Sequence, residues 1–207
     1  MTPAQAYNAL LNTPDYFLKT CFLKIAGSPA ASGVMNYNLR YKGDIAPPAG
    51  PAAVPQTFKF DITTIMVPAS QIIPTHSVQM VDYATLVVPA GGGPINLTGY
   101  TLGAAGPDLM VTGLLNGCTF CMLKNGAQVI CAHIRPPAGA NAGQNLHKRM
   151  MNRGRMTGHA ASPLICFGRN DYPGNATVVG VRLNGTWKIF AQLHNGYESF
   201  SGATQIL

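Results

Sequence analysis

An α+β fold that is mostly β, with a β-sandwich core and few peripheral helices, is expected from three features of this chain. Glycine (23) and proline (16) are frequent among its 207 residues while only 10% are charged, which suits many short strands joined by turns. Runs rich in β-branched and aromatic residues recur along the sequence, separated by Gly/Pro/Ala stretches. Two Asn-Gly pairs, Asn125-Gly126 and Asn184-Gly185, each lie between two such runs, and Asn-Gly is the strongest short-range hairpin signal because type I′ turns need φ > 0 at both central residues.

The elements follow in order. Thr2-Pro3-Ala4-Gln5 combines a capping-box pattern with proline at the first helical position, so a short helix is expected to about Asn12, with Pro14 stopping it. Strands are expected over Tyr16 to Ile25, Val34 to Tyr41, Thr57 to Met66, Ser77 to Val88 and Asn96 to Leu102. The turns between them fall at Gly27 to Gly33, Pro47 to Pro55 and Pro89 to Pro94. Pro107 to Leu115 reads as a helical turn or two that delivers the chain to Asn116-Gly117-Cys118. The first Asn-Gly hairpin joins Thr119–Leu123 to Ala127–Ile134. A helix then spans about Gln144 to Asn152, a strand Pro163 to Gly168, and the second hairpin pairs Ala176–Leu183 with Thr186–His194. No linker or charge block divides residues 1–207, so one domain is expected, and no repeat at solenoid or propeller spacing is visible.

The net charge of +7 has a local origin. No acidic residue lies between Asp108 and Asp171, whereas Lys124, Arg135, Lys148, Arg149, Arg153, Arg155 and Arg169 all do. This segment is expected to carry a positive potential that attracts acidic partners. Nucleic acid is not an obligatory partner on this reading, because no binding motif with interleaved aromatics accompanies the basic residues. The first basic residue is Lys19, so neither a signal peptide nor a membrane span is expected. Cys118 and Cys121 form a CxxC, but in a strand the two point to opposite faces and no second ligand pair follows; no metal or other cofactor is expected. Cys121, Cys131 and Cys166 read as core residues, and His76, His147, His159 and His194 as surface or structural ones.

Cys118 and His133 carry the chemistry. If Asn125 and Gly126 form the loop, facing residues have numbers summing to 251, so Cys118 faces His133 on one side of the sheet. Directly opposed residues have Cβ atoms roughly 4.5 to 5.5 Å apart. A thiol of ordinary pKa ~8.5 needs such a neighbour to become a nucleophilic thiolate near neutrality. Gly117 permits close backbone approach, and the amides near Gly117 and Cys118 are candidate oxyanion donors.

With Leu115-Asn116-Gly117-Cys118 followed by a strand, a tight turn and His133, the chain resembles the deamidase toxins related to the catalytic domain of cytotoxic necrotizing factor, and most closely the Burkholderia lethal factor-like members. The likeness rests on the Leu-Ser-Gly-Cys motif, with Asn116 in place of its serine, and on Thr112, six residues before the cysteine. It extends through His133-Ile134-Arg135-Pro136-Pro137, Ala140-Asn141 and Arg149-Met150, with a weaker echo in Val178-Val179-Gly180 and Trp187 to Ala191. The resemblance implies a sandwich fold and a Cys118/His133 pair, with Thr112 orienting the imidazole through its hydroxyl or its carbonyl. Leu115, Asn116 and Gly117 would form the motif loop, and Arg135, Lys148 and Arg149 would contact the substrate. The implied activity is hydrolysis of a glutamine side-chain amide in a host protein, a Rho-type GTPase or a translation initiation helicase, by a monomeric toxin acting in the host cytosol and, with the latter target, inhibiting translation. Two other classes stay open: a cysteine protease or transglutaminase, which shares the acyl-enzyme, and a non-enzymatic basic binding domain.

Overall fold

The computed structural model describes residues 1–26, 29–44, 56–62, 71–194 and 200–207. Helix α1 (Pro3–Asn12) begins as expected: Thr2 accepts from the Gln5 amide while the Gln5 side chain accepts from the Thr2 amide. Pro14 does more than stop it. It opens a second helix, α2 (Pro14–Thr20), because proline's fixed φ and missing N–H suit a first helical position as well as they break an interior one. The strand expected from Tyr16 therefore starts only at Cys21.

The strands that follow are β1 (Cys21–Ala26), β2 (Gly33–Asp44), β3 (Gln56–Ile62), β4 (Ile73–Val78), β5 (Met80–Asp82), β6 (Ile95–Leu97), β7 (Tyr100–Leu102) and β8 (Leu109–Thr112). Those after β8 are β9 (Thr119–Asn125), β10 (Gln128–Arg135), β11 (Gly154–Met156), β12 (Ile165–Phe167), β13 (Asn175–Leu183), β14 (Thr186–His194) and β15 (Phe200–Gln205). Helix α3 (Ala142–Arg153) separates β10 from β11. The expected Ser77–Val88 strand breaks into β4, β5 and a 3-10 turn at Tyr83–Thr85, and the Asn96–Leu102 run splits into β6 and β7. Residues 63–66 of the expected third strand, the whole Pro47–Pro55 loop and Gly27-Ser28 lie outside the described residues.

The segment read as a helical turn, Pro107 to Leu115, is instead strand β8 at the centre of a sheet. Leu109 and Val111 point to one core cluster and Met110 to another, so both faces are covered. A strand buried on two sides loses the polar alternation that marks strands in sequence.

Eight strands form a mixed sheet in the order β1-β3-β2-β4-β8-β13-β14-β15, and a second sheet runs β12-β9-β10-β5 with β7 also paired to β10. Strands β6 and β11 pair separately. Period-two alternation stacks these parts into layers. Helices α1 and α2 bury Leu10, Phe17 and Leu18 against Leu23, Phe58, Val179 and Phe190 of the large sheet. The sheet's opposite face, with Met110, Val178, Ile189 and Ala191, packs on Phe120, Met122, Val129, Cys131 and Phe167 of the smaller sheet. Leu146 and Met150 of α3 cover the smaller sheet's outer face through Cys121, Leu123, Ile130 and Ile134. The fold is thus α+β and mostly β, with two mixed sheets packed through a shared core. Among the described residues no helix is long and apolar enough to cross a membrane.

Candidate functional site

The β9–β10 hairpin has a different turn from the one expected. Asn125 pairs with Gln128, so the two-residue loop is Gly126-Ala127. Gly126 has φ +60° while Asn125 stays on the extended side, the pattern of a type II′ loop with glycine first. The second hairpin keeps its expected turn, with Asn184 at φ +49° and Gly185 at +75° between paired Leu183 and Thr186.

Facing residues in β9 and β10 consequently sum to 253, and Phe120, not Cys118, faces His133. A shift of two preserves the face. Cys118, one residue before β9, joins Phe120, Met122 and Cys131 in the core between the sheets, while Cys121 points to the opposite cluster. Cys118 and His133 therefore share a face as diagonal neighbours, a relation that separates residues by about 7–8 Å in a regular sheet.

Around His133 the hydrogen-bond logic is determinate. Thr112 on β8 donates its hydroxyl to the Val78 carbonyl at 3.1 Å, and its oxygen lies 2.6 Å from His133 Nδ1. A hydroxyl has one proton, so toward the ring Thr112 accepts, and Nδ1 carries the hydrogen. Nε2 is then a bare lone pair, buried and without a partner. The threonine meets the ring through its hydroxyl, and from a strand.

The thiol is held elsewhere. Cys118 Sγ donates to Met80 Sδ at 3.7 Å, and Met80 on β5 is the residue paired with His133 across β10. Cys118 is 3% exposed and His133 0%. Burial pushes the thiol from 9.0 up to about 11, opposed by an Asn116 backbone N–H and by Arg135, and pushes the imidazole from 6.5 down to about 4. In this conformation both groups are neutral.

The motif loop lies at the surface beside this buried pair. Asn116 is exposed and Gly117 partly so. Leu115 is buried, and its amide is consumed by the Ala176 carbonyl at 2.8 Å, which removes it as an oxyanion donor. The Asn116 amide is the one that faces the sulfur. Gly117 adopts φ +85°, and its carbonyl abuts Gly143 in the first turn of α3. A Cβ at Gly143 would lie 2.7 Å from that oxygen and 3.0 Å from Arg169 Cβ. Gly143→Ala is expected to destabilise the protein by about 1–3 kcal/mol through overpacking. Urea denaturation measures it, and an unchanged midpoint would show that the loop yields freely.

Two residues that the sequence did not single out contact Cys118. Met80 accepts the thiol's hydrogen bond, and Tyr172 donates its buried hydroxyl to the Cys118 carbonyl at 2.7 Å while its ring stacks on Phe167. Neither has a local sequence signal, because each reaches Cys118 from a distant segment. Tyr172→Phe keeps the ring and removes the bond. A stability loss of about 1–3 kcal/mol is expected in equilibrium denaturation, since a buried carbonyl loses its donor; no loss would mean water replaces the hydroxyl.

Of the basic candidates, Arg135 acts electrostatically on the thiol, while Lys148 and Arg149 lie elsewhere. Arg135 is engaged in a two-point ion pair with Asp82, which offsets its charge. Lys148 and Arg149 are exposed on α3, which packs on the far side of the smaller sheet, and Arg149 lies over the Tyr83 ring, 5.6 Å from its centroid. Arg153 and Arg169 donate to backbone carbonyls of Gly93 and Gly174. Two of the segment's seven cationic side chains thus hold loops and a third is ion-paired, while Lys124, Lys148 and Arg149 are exposed. Of the remaining histidines, His76, His147 and His194 are buried and His159 partly so. Compared with protein-family models and with curated proteins, the chain matches none of either.

Proposed function

We propose that the protein is a glutamine deamidase of the cytotoxic necrotizing factor type, acting on a host protein with Cys118 as nucleophile, His133 as base and Thr112 as the group that orients the imidazole. The observation that carries this reading is the Val78–Thr112–His133 relay, which leaves a bare Nε2 on the face shared with Cys118. An Nδ1–H tautomer held by an acceptor is what a general base requires.

In the reaction, the thiol leaves Met80 and gives its proton to Nε2, and sulfur adds to the glutamine amide carbon. The imidazolium protonates the amide nitrogen, which departs as ammonia and leaves a thioester. Water, deprotonated by Nε2, adds to the thioester; the C–S bond breaks, the thiolate recovers that proton from the imidazolium, and the carboxylic acid gives its remaining proton to the released ammonia. The Asn116 amide at the sulfur stabilises the thiolate.

Burial raises the cost of each charge alone, yet the thiolate and imidazolium form together and stabilise one another. The site must open for a glutamine to enter, and the exposed Asn116-Gly117 loop is the side from which it would do so. The same burial favours a second reading, in which Cys118 and His133 are core groups of a basic binding domain. Mass spectrometry of host-cell lysate treated with wild type or Cys118→Ser separates the two. A glutamine-to-glutamate conversion confined to wild type supports the deamidase; conversion that persists in the variant, or is absent from both, overturns it.

A further inference from the structure

Cys166 on β12 is directly opposite Cys121 on β9, with Met122↔Ile165 and Phe120↔Phe167 on either side. The two sulfurs are 3.6 Å apart, the Cys166 thiol donating to Cys121. Directly opposed residues of an antiparallel pair have Cα atoms about 4.5 or 5.5 Å apart, within the range of about 4.4–6.8 Å that a disulfide spans. Both side chains face the α3 layer, so a small inward movement of the sulfurs closes the bond without turning either strand. β12 is an edge strand, held on one side only, and is the more able to move.

We propose that Cys121 and Cys166 form a reversible cross-strand disulfide when the protein meets a small-molecule disulfide oxidant. The proposal is independent of the deamidase reading, since both cysteines belong to the cluster on the sheet face opposite Cys118.

Exposure orders the steps. Cys121 is fully buried, whereas Cys166 is partly exposed at the sheet edge. The Cys166 thiolate attacks one sulfur of oxidised glutathione, forming a mixed disulfide and releasing one glutathione thiolate. Cys121 sulfur then attacks the Cys166 sulfur, the S–S bond between the strands forms, and the second glutathione leaves. The two protons of the cysteine thiols pass to the two glutathione thiolates, and the two electrons removed from the protein reduce one glutathione disulfide. The buried Cys121 thiol resists ionisation, through the adjacent Cys166 and desolvation, so the second step is the slow one.

The test incubates the whole protein with oxidised glutathione, blocks remaining thiols with N-ethylmaleimide and digests it without reduction. Chymotrypsin cuts after Phe120 and so separates Cys118 from Cys121. The expected result is a linked peptide pair joining Cys121 to Cys166 as the dominant form of both, lost on treatment with dithiothreitol and absent from Cys166→Ser, in which Cys121 is recovered maleimide-labelled after denaturation. A persistent glutathione adduct on Cys166 with Cys121 still alkylatable, a bond to any other cysteine, or recovery of both as free thiols would each overturn the proposal.

Discussion

Cys118→Ser is expected to lower deamidation by on the order of 10⁴- to 10⁶-fold, the range seen when a nucleophile acting in concert with its base is removed. The substitution is nearly isosteric, and the hydroxyl can still direct its proton toward Met80, so the fold should persist and the loss belongs to chemistry. A serine hydroxyl is a weaker acid and a poorer nucleophile than the Cys118 thiol, even with the thiol raised to about 11. Thr112→Val is the companion variant. It keeps shape but deletes the acceptor of Nδ1–H, so the imidazole loses the contact that defines its tautomer and angle, and a smaller fall of about 100-fold is expected, the scale of a misplaced catalytic group. Single-turnover rates on the substrate identified from lysate measure both. Equal activity of Thr112→Val and wild type would show that Thr112 serves packing alone.

Acid should destabilise the protein through His133. Unfolded, the imidazole takes up a proton as pH falls through 6.5; folded, it resists until about 4, because burial disfavours the cation. Between those values the unfolded state binds more protons, so stability falls with falling pH, by about 3 kcal/mol over the interval from this group. His76, also held below its ordinary value by burial and by Arg182, adds a loss of the same sign. Cys118 acts at the other end: its thiol ionises near 9.0 unfolded but near 11 folded, so stability present below pH 9 is lost as pH rises toward 11. Urea denaturation of wild type and His133→Gln from pH 4 to 8 isolates the histidine. The difference between the two curves should slope over pH 4 to 6.5 and be flat above; a flat difference throughout would mean that His133 is hydrated.

Much of the fold is legible in local chemistry. The Thr2/Gln5 cap, the α3 segment, and the hairpins around Gly126 and Gly185 follow from residue type and spacing. Where local reading fails, two elements compete for one signal. Pro14 ends one helix and starts the next, and the apolar run of β8 loses strand alternation because both its faces are buried. The β9–β10 turn is the instructive case. A one-residue slip would have moved Cys118 to the α3 side of the sheet, so the apolar pattern excludes it. A two-residue slip keeps every side chain on its face, and the pattern is blind to it. The far edge of β10, paired with β5 and β7, belongs to chain segments that the turn does not contain.

The amino-acid order alone thus determined that Cys118 and His133 share a face and that Cys121 does not, because backbone pleating repeats every two residues and is a local property. Tertiary structure decided the partners and the charge states. Thr112 meets Nδ1, Met80 accepts the thiol's hydrogen bond and Tyr172 holds the Cys118 carbonyl, each from a strand or loop distant in sequence. The raised thiol and lowered imidazole pKa values arise only when two sheets close over them, since desolvation depends on everything that replaces water and not on the neighbours along the chain.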